Sequence, residues 1–423
     1  MNHVHVIGAG LSGLAAALSL SKAGGPVTVY EAGPAAGGRC RSYFDKDLDL
    51  RIDNGNHLML SGNTAVCDYI TEIDAWNSIT VHDRAALPFV DLRTFERWIV
   101  RPNQGRIPWW VLDRRRRVPQ TRLSDYLQIS AITRVRDDTT VADSMRRGRL
   151  YWHLLEPISI AVLNTPPQDG LARLLGTVMR ETLLRGGRAC RPMLPNQGLS
   201  ETLVEPALAA LRSRGATIRM NHRIADITIA DGMVIALRGP EGTMPLDASD
   251  SVVLAAPPWV ASDLLPGLVA PNAFQAILNI HFRHDVTSAG PVSETGFIGL
   301  TSATAEWVFV KPGHVSVTIS AANSLVDEPA RAIAELVWPN VVDALALDAK
   351  LKQELPPFRV VKEKRATFAA TADQDRRRPE ARTPFASNLS LAGDWTDTGL
   401  PATIEGAIRS GRVAAEILLS RNQ

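Results

Sequence analysis

The chain opens on His-Val-His-Val-Ile at positions 3–7, where polar and apolar residues alternate as in a strand. A run of apolar and small residues follows from about Leu11 to Ala23 and predicts a helix. Val27 to Ala32 is β-branched and predicts a second strand, completing a βαβ unit of about 30 residues. Residues 61–186 read as mostly helical. An irregular stretch at 97–120 interrupts them, because Pro102, Pro108 and Pro119 are incompatible with a continuous helix. Residues 199–214 are amphipathic with helical spacing, and three short β-branched runs come next. Asp231-Gly232 between the last two calls for a tight hairpin, since both turn positions take positive φ.

An apolar strand at 251–257 ends on Pro257-Pro258, residues 273–320 are rich in strand patterns, and a helix is predicted from about Ala330 to Leu347. The tail, LAGDWTDTGLPATIEGAIRSG, predicts a strand and then a helix opened by Gly393-Asp394. Along it Ile404, Ile408, Gly411, Ala415 and Leu418 recur at helical spacing and make one packed face. Elements of nucleotide-binding type therefore occupy 1–60, 190–257 and 371–423. A second, substrate-binding unit is inserted twice, at 61–189 and 258–370. The expected fold class is α/β: a Rossmann-like domain with an interleaved domain of mixed sheet plus helices.

Composition narrows the picture. The 423 residues exceed what one core ordinarily holds, so two joined domains are expected. The 46 Lys and Arg balance 44 Asp and Glu, which offers nothing to attract nucleic acid. Cys40, Cys67 and Cys190 are odd in number and none lies at C-x-x-C spacing. A reduced, cytoplasmic chain is expected, without a disulfide frame and with no metal site. No 18-residue apolar run exists, so no transmembrane helix is expected, although contact with the inner face of a membrane stays open.

The chemistry begins at Gly8, Gly10 and Gly13, a G-x-G-x-x-G between strand and helix. Such glycines allow the tight turn, the approach of a pyrophosphate and close helix–strand packing, and the helix N-terminus attracts the phosphates. Glu31 ends the next strand, where a carboxylate accepts from ribose hydroxyls and repels a 2′-phosphate. Gly37, Gly38 and Arg39 follow, and Arg39 suits a second phosphate contact. At this point FAD and NAD both remain possible.

With "VIGAGLSGLAAALSLSKAG", Glu31, "GGR", "DNGNH" and "LAGDW…IEGAIRSG", the chain resembles the flavin amine oxidase and phytoene desaturase superfamily. Within it, "IDNGNHLMLSGN", "IPWWVLDRRRRVP", "AVLNTPP" and the tail resemble the hydroxysqualene dehydroxylase family. The resemblance implies an FAD-binding domain beside a substrate domain. It also implies an activity in which reduced flavin gives a hydride to hydroxysqualene, an isoprenoid, with loss of its hydroxyl. It places Gly8, Gly10, Gly13, Glu31 and Arg39 on the ADP part, Gly55, Asn56, His57 and Leu58 along the flavin ring, and Ile224 at the adenine. Gly393 and Asp394 fall at the pyrophosphate and ribitol, with Thr403 and Ile404 near the pyrimidine end of the ring. Thr403 stands where the amine oxidases have an aromatic wall, and no cysteine follows Cys190 to bind flavin covalently near the tail. Both departures turn the reading away from amines and toward non-covalent FAD. A plain NAD domain has no use for the closing tail, which also favours FAD.

A leaving hydroxyl requires a proton donor. His57 is the candidate, against the plainer role of shaping its loop. Trp152 and Glu156 either line the substrate cavity or are a core aromatic and a surface acid. His281 and His284, at i and i+3 of a strand pattern, point to opposite faces and do not form a metal pair. Trp98, Trp109 and Trp110 with Arg114 to Arg117 fit either a membrane-contacting segment or a packed loop with solvated arginines. A carotenoid-type desaturase is the alternative activity. The reductant that reloads the flavin is not identified by the sequence.

Overall fold

The computed structural model describes residues 3–286, 292 and 294–421. The alternating head forms a strand over Val4–Ile7, all four residues buried, with Val27–Tyr30 parallel beside it. Thr217–Arg219, Val27–Tyr30, Val4–Ile7, Ser251–Leu254 and Leu389–Leu391 line up in that order as one parallel sheet. The first and last strand segments of the chain thus share a sheet, separated by Ser251–Leu254. The helices Leu11–Lys22 and Ile404–Arg421 pack together on it. Their contact is close enough that a Cβ on Gly411 would sit 2.0 Å from the Ser12 carbonyl oxygen. The predicted packed face of the last helix is buried along its whole length.

The second sheet has seven strands, in the order Phe358–Phe368, Phe274–Phe282, His314–Ile319, Trp307–Lys311, Phe297–Thr301, Leu87–Asp91 and Arg97–Val100. Alternation divides it into two faces. Leu278, Ile280, Val308, Val317 and Leu300 pack on the helix Ala330–Ala344. Asn279, His281, Ser316, Thr318, Trp307 and Phe309 take the opposite face.

Three expectations are corrected. Residues 61–186 are not mostly helical up to position 100: Thr64–Glu72 is a helix, but Ile79–Val81, Leu87–Asp91 and Arg97–Val100 are strands. Ile79–Val81 and Leu87–Asp91 have partners far along the chain, at Pro192–Pro195 and Phe297–Thr301, which local pattern does not report, and Arg97–Val100 pairs with Leu87–Asp91. The boundary drawn at residue 60 is also displaced. Val66, Tyr69, Ile70 and Ile79 share one apolar core with the first and last helices, so the nucleotide unit continues to about residue 81. His284 lies beyond the strand, which stops at Phe282, and packs its ring on Trp338.

Candidate active site

The glycine loop divides its glycines by what surrounds them. Gly8 has φ +109°, and a Cβ there would meet the Ala255 carbonyl oxygen at 2.5 Å. A Cβ on Gly13 would fall 1.9 Å from the Gly8 oxygen. Gly10, the N-cap of the first helix, has nothing within 4 Å of its would-be Cβ. Two glycines are required by protein packing, and the third faces open space at a helix N-terminus, which fits a pyrophosphate. A Cβ on Gly38, at φ +58°, would lie 3.5 Å from the Gly10 Cα.

Glu31 braces the loop. Its carboxylate accepts from the Ala9 N–H at 3.0 Å and the Gly33 N–H at 2.8 Å. Each oxygen keeps a lone pair for a further donor. Asn221 and His222 donate their backbone N–H groups to Gly33 and Glu31, which aligns buried Ile224 with the same end.

The tail meets the head at a salt bridge. Arg39 donates to Asp394 Oδ1 at 2.6 Å and to the Ala366 carbonyl at 2.5 Å. Arg39 and Asp394 border a cleft with Pro257, Trp395, Thr367 and Phe368. A Cβ on Gly393 would clash with Trp395 Nε1 at 2.2 Å, and that indole donates to Ala256. Gly393-Asp394 does not open the last helix, which corrects the sequence expectation. The helix starts at Ile404, and Thr403 Oγ1 caps it by accepting from the Gly406 N–H at 3.0 Å. Residues between them loop around Arg378, which donates to the Thr396 carbonyl. The Thr403 hydroxyl is therefore engaged in a cap, beside Ile404.

The segment Gly55 to Leu58 is anchored to the polar face of the large sheet. Asn56 donates its side-chain amide to Ser316 at 2.7 Å and to Thr318 at 3.0 Å, and its backbone N–H to Asn279. Thr318 in turn donates to Asn279. Asp53 pairs with Lys311 at 2.7 Å and accepts from Ser42. His57 lies 3.8 Å from the Cys40 sulfur. Burial pushes its imidazole down to about 4, against Asp53 and aided by Arg39 and Lys311. A neutral His57 at pH 7 is no imidazolium donor, so the environment argues for the loop-shaping role. The Cys40 thiol, pushed up to about 12 by burial, stays protonated.

A helical stretch covers Tyr151–Leu163. Trp152 is 44% exposed, so it is no core aromatic. Glu156, one turn on, is half-buried with its carboxyl raised by burial. Ile158, Ile160 and Val162 also keep accessible surface, although the helix is almost wholly apolar. Asn164 ends it in the left-handed region and ties it down. Its Oδ1 accepts from the Ala321 N–H at 2.6 Å, and its amide donates to Thr367 and Gln275. No hydrogen bond joins Trp152 or Glu156 to the Asn56 segment among the described residues. The sequence reading passed over Asn279, Ser316, Thr318 and Asn164. Polar residues at alternate positions 279 and 281 of an otherwise apolar strand were the available signal.

The tryptophan-rich segment is corrected in part. Trp98 and Trp110 are buried, one in a strand and the other edge-on to Tyr126. Trp109, Ile107 and Leu112 are exposed, at 52%, 79% and 67%. Arg116 stacks on Trp109. A neighbouring cleft is lined by Arg84, Arg101, Arg188 and Arg191, with Asp83 and Glu294 as its acids.

Comparison with known proteins gives consistent matches. The flavin containing amine oxidoreductase family matches residues 11–287 and 300–419. A hydroxysqualene dehydroxylase of Sinorhizobium fredii is 45% identical over 99% of this chain and 98% of its own length. One of Zymomonas mobilis is 41% identical over the whole of both chains. Among solved structures, an oxidoreductase of Methanosarcina mazei superposes with a TM-score of 0.73 at 15% identity, covering both chains in full.

Proposed function

Because the chain belongs to the flavin containing amine oxidoreductase family and, within it, to the hydroxysqualene dehydroxylases, we propose that it reductively removes the hydroxyl of hydroxysqualene to give squalene and water. The observation that carries this reading is identity of 41–45% running across head and tail alike, the two segments joined at Arg39 and Asp394.

The cofactor is read as FAD held without a covalent bond. The open space at Gly10, the Arg39 guanidinium and the helix N-terminus suit its pyrophosphate, and Glu31 and Ile224 suit its adenosine end. Gly55 to Leu58, Gly393, Asp394, Thr403 and Ile404 are assigned to the flavin half. Bound there and reduced by an electron donor yet to be identified, a flavin supplies a hydride to a carbon held against its ring. The chain's own residues position the ring and the substrate. Asn56, Asn279 and Thr318 lock the backbone expected along the ring. Ile158 and Val162 pack against the apolar cluster that holds Trp307 and Phe309, a surrounding that suits an isoprenoid, and Trp152 and Glu156 on the same helical stretch are assigned to its substrate side.

The test is anaerobic incubation of the chemically reduced protein with hydroxysqualene or with phytoene. Squalene from the first, and flavin released on acid precipitation, support the reading. Desaturation of phytoene with no squalene formed favours the alternative.

A peripheral membrane contact is a second reading, supported by Ile107, Trp109 and Leu112 projecting beside Arg114 and Arg115. No helix among the described residues is long and apolar enough to cross a membrane. Sedimentation with vesicles containing anionic phospholipid should carry the protein down, and Ile107→Ser with Trp109→Ser should release it. Equal sedimentation of both would sink the idea.

A further inference from the structure

The loop from Pro102 to Leu112 carries two features that the site described above does not use. Ile107, Trp109 and Leu112 stand exposed on it. Pro102 to Gly105 and Trp109 also form one wall of a cleft of about 840 Å³. Trp109 belongs to both, so an apolar prong and a cleft meet at one residue. The loop is held by its own buried Asn103, whose amide donates to the Gly105 and Ile107 carbonyls while its Oδ1 accepts from the Trp110 N–H. The facing turn is locked against it. The Gly187 N–H donates to the Asn103 carbonyl at 2.7 Å, and a Cβ on Gly186 would meet the Gly105 oxygen at 2.2 Å. Both walls are therefore in place before a ligand arrives, which lowers the cost of binding one.

Charge in the cleft is one-sided. Arg84, Arg101, Arg116, Arg188 and Arg191 line it against Asp83 and Glu294, in a chain whose formal net charge is only +2. Arg101 pairs with Glu294 at 2.6 Å. Arg116 donates its Nε–H to the Arg101 carbonyl and lies 4.7 Å over the Trp109 ring. Arg84, Arg188 and Arg191 have no carboxylate partner among the described residues, and the Nε of Arg191 is buried without a hydrogen-bond partner there. A buried guanidinium N–H left unpaired is costly, and so is a gathering of like charges. A phosphate group relieves both, because its oxygens accept from guanidinium forks in pairs and its charge offsets theirs.

The prong selects among phosphates. An apolar rim offers nothing to an inorganic ion but covers acyl chains, and an indole carrying a cation on its face suits the headgroup layer of a bilayer. We propose that the cleft binds the phosphate of an anionic phospholipid whose chains lie over Ile107, Trp109 and Leu112. This inference rests on the membrane contact read above and adds the chemical group that is held and the arginines that hold it. Arg191 donates its backbone N–H to Ser61, just past the Leu58 assigned to the flavin ring. A headgroup bound in the cleft thus tethers the chain beside that segment to a bilayer, where an isoprenoid substrate dissolves.

The experiment uses the full flavin-loaded chain and vesicles of phosphatidylcholine alone or mixed with phosphatidylglycerol. Two variants of equal charge are compared with wild type. One combines Arg84→Gln and Arg188→Gln, both exposed in the cleft, and the other Arg114→Gln and Arg115→Gln, exposed outside it. Circular dichroism and flavin content check the fold. Wild type is expected to sediment with the mixed vesicles and not with phosphatidylcholine alone. The cleft variant should lose at least about tenfold more affinity than the outer variant. Equal losses would show diffuse attraction between charges and overturn the site. Calorimetric titration with soluble short-chain phosphatidylglycerol and with inorganic phosphate identifies the source of the phosphate. The short-chain lipid should bind wild type about tenfold or more tighter than inorganic phosphate does, and should fail to bind the cleft variant. Inorganic phosphate binding as tightly as the lipid overturns the lipid assignment. A cleft variant that sediments like wild type, while Ile107→Ser with Trp109→Ser does not, overturns this inference and leaves the membrane reading standing. A wild type that ignores the mixed vesicles overturns both.

Discussion

The three glycines of the head look equivalent as a motif and are not equivalent as residues. Gly13 is forbidden a side chain by the Gly8 oxygen, whereas Gly10 has room for one and an ordinary extended φ of −71°. Gly13→Ala should therefore destabilise the fold itself, by about 1–3 kcal/mol or more. Gly10→Ala should fold normally but weaken flavin binding about tenfold or more, since its methyl group enters the space assigned to phosphate. Urea unfolding of the flavin-free proteins and flavin titration separate the two, and equal stability losses would contradict the division. The motif itself was legible from spacing, as were Glu31 and Arg39. The partners of Glu31 and Arg39 were not, because Ala9, Gly33 and Asp394 reach them only through the folded chain.

At the scale of elements, the last helix does more than close the sheet. Buried Glu405 caps a different helix, accepting from the Ala65 and Val66 N–H groups at 3.0 and 2.9 Å and from Arg409. A carboxylate at a helix N-terminus is favoured by both the free donors and the helix dipole. Glu405→Ala leaves these donors unpaired and should cost about 1–3 kcal/mol in urea unfolding. A change within error would show that water replaces the carboxylate. The helical period of 404–418 was plain in the sequence, but its start was placed ten residues early. Thr403 was the true start signal, a capping hydroxyl just before the apolar face. The strands within 79–100 were missed for another reason. They are short, one carries Pro88 at its second position, and two of them pair with segments that follow much later.

At the scale of the whole molecule, four histidines are held neutral in the two sheets and the Gly55–Leu58 segment. Burial drives His5, His57 and His314 down to about 4 and His281 to about 3. Unfolded, each titrates near 6.5. Above that pH both states are neutral and the fold keeps its full stability. Below it the unfolded chain binds protons that the folded chain refuses, so stability falls as pH drops from 6.5 toward 4. Each histidine contributes roughly 1.4 kcal/mol per pH unit in that window. Thermal unfolding midpoints should drop markedly between about pH 7 and about pH 5, and a flat profile would show that these histidines are not neutral in the fold.

The molecule joins a head that suits a nucleotide, a tail that meets it through Arg39 and Asp394, and a large sheet whose polar face holds the Asn56 segment. The central claim is that this assembly directs a flavin hydride to the carbon that loses its hydroxyl. The nitrogen-bound hydrogen of reduced flavin exchanges with solvent, so the protein reduced in deuterium oxide carries deuterium at the transferring position. Mass spectrometry of the product from hydroxysqualene under these conditions should find squalene with one deuterium at the former carbinol carbon. Unlabelled squalene, or none, would contradict the account.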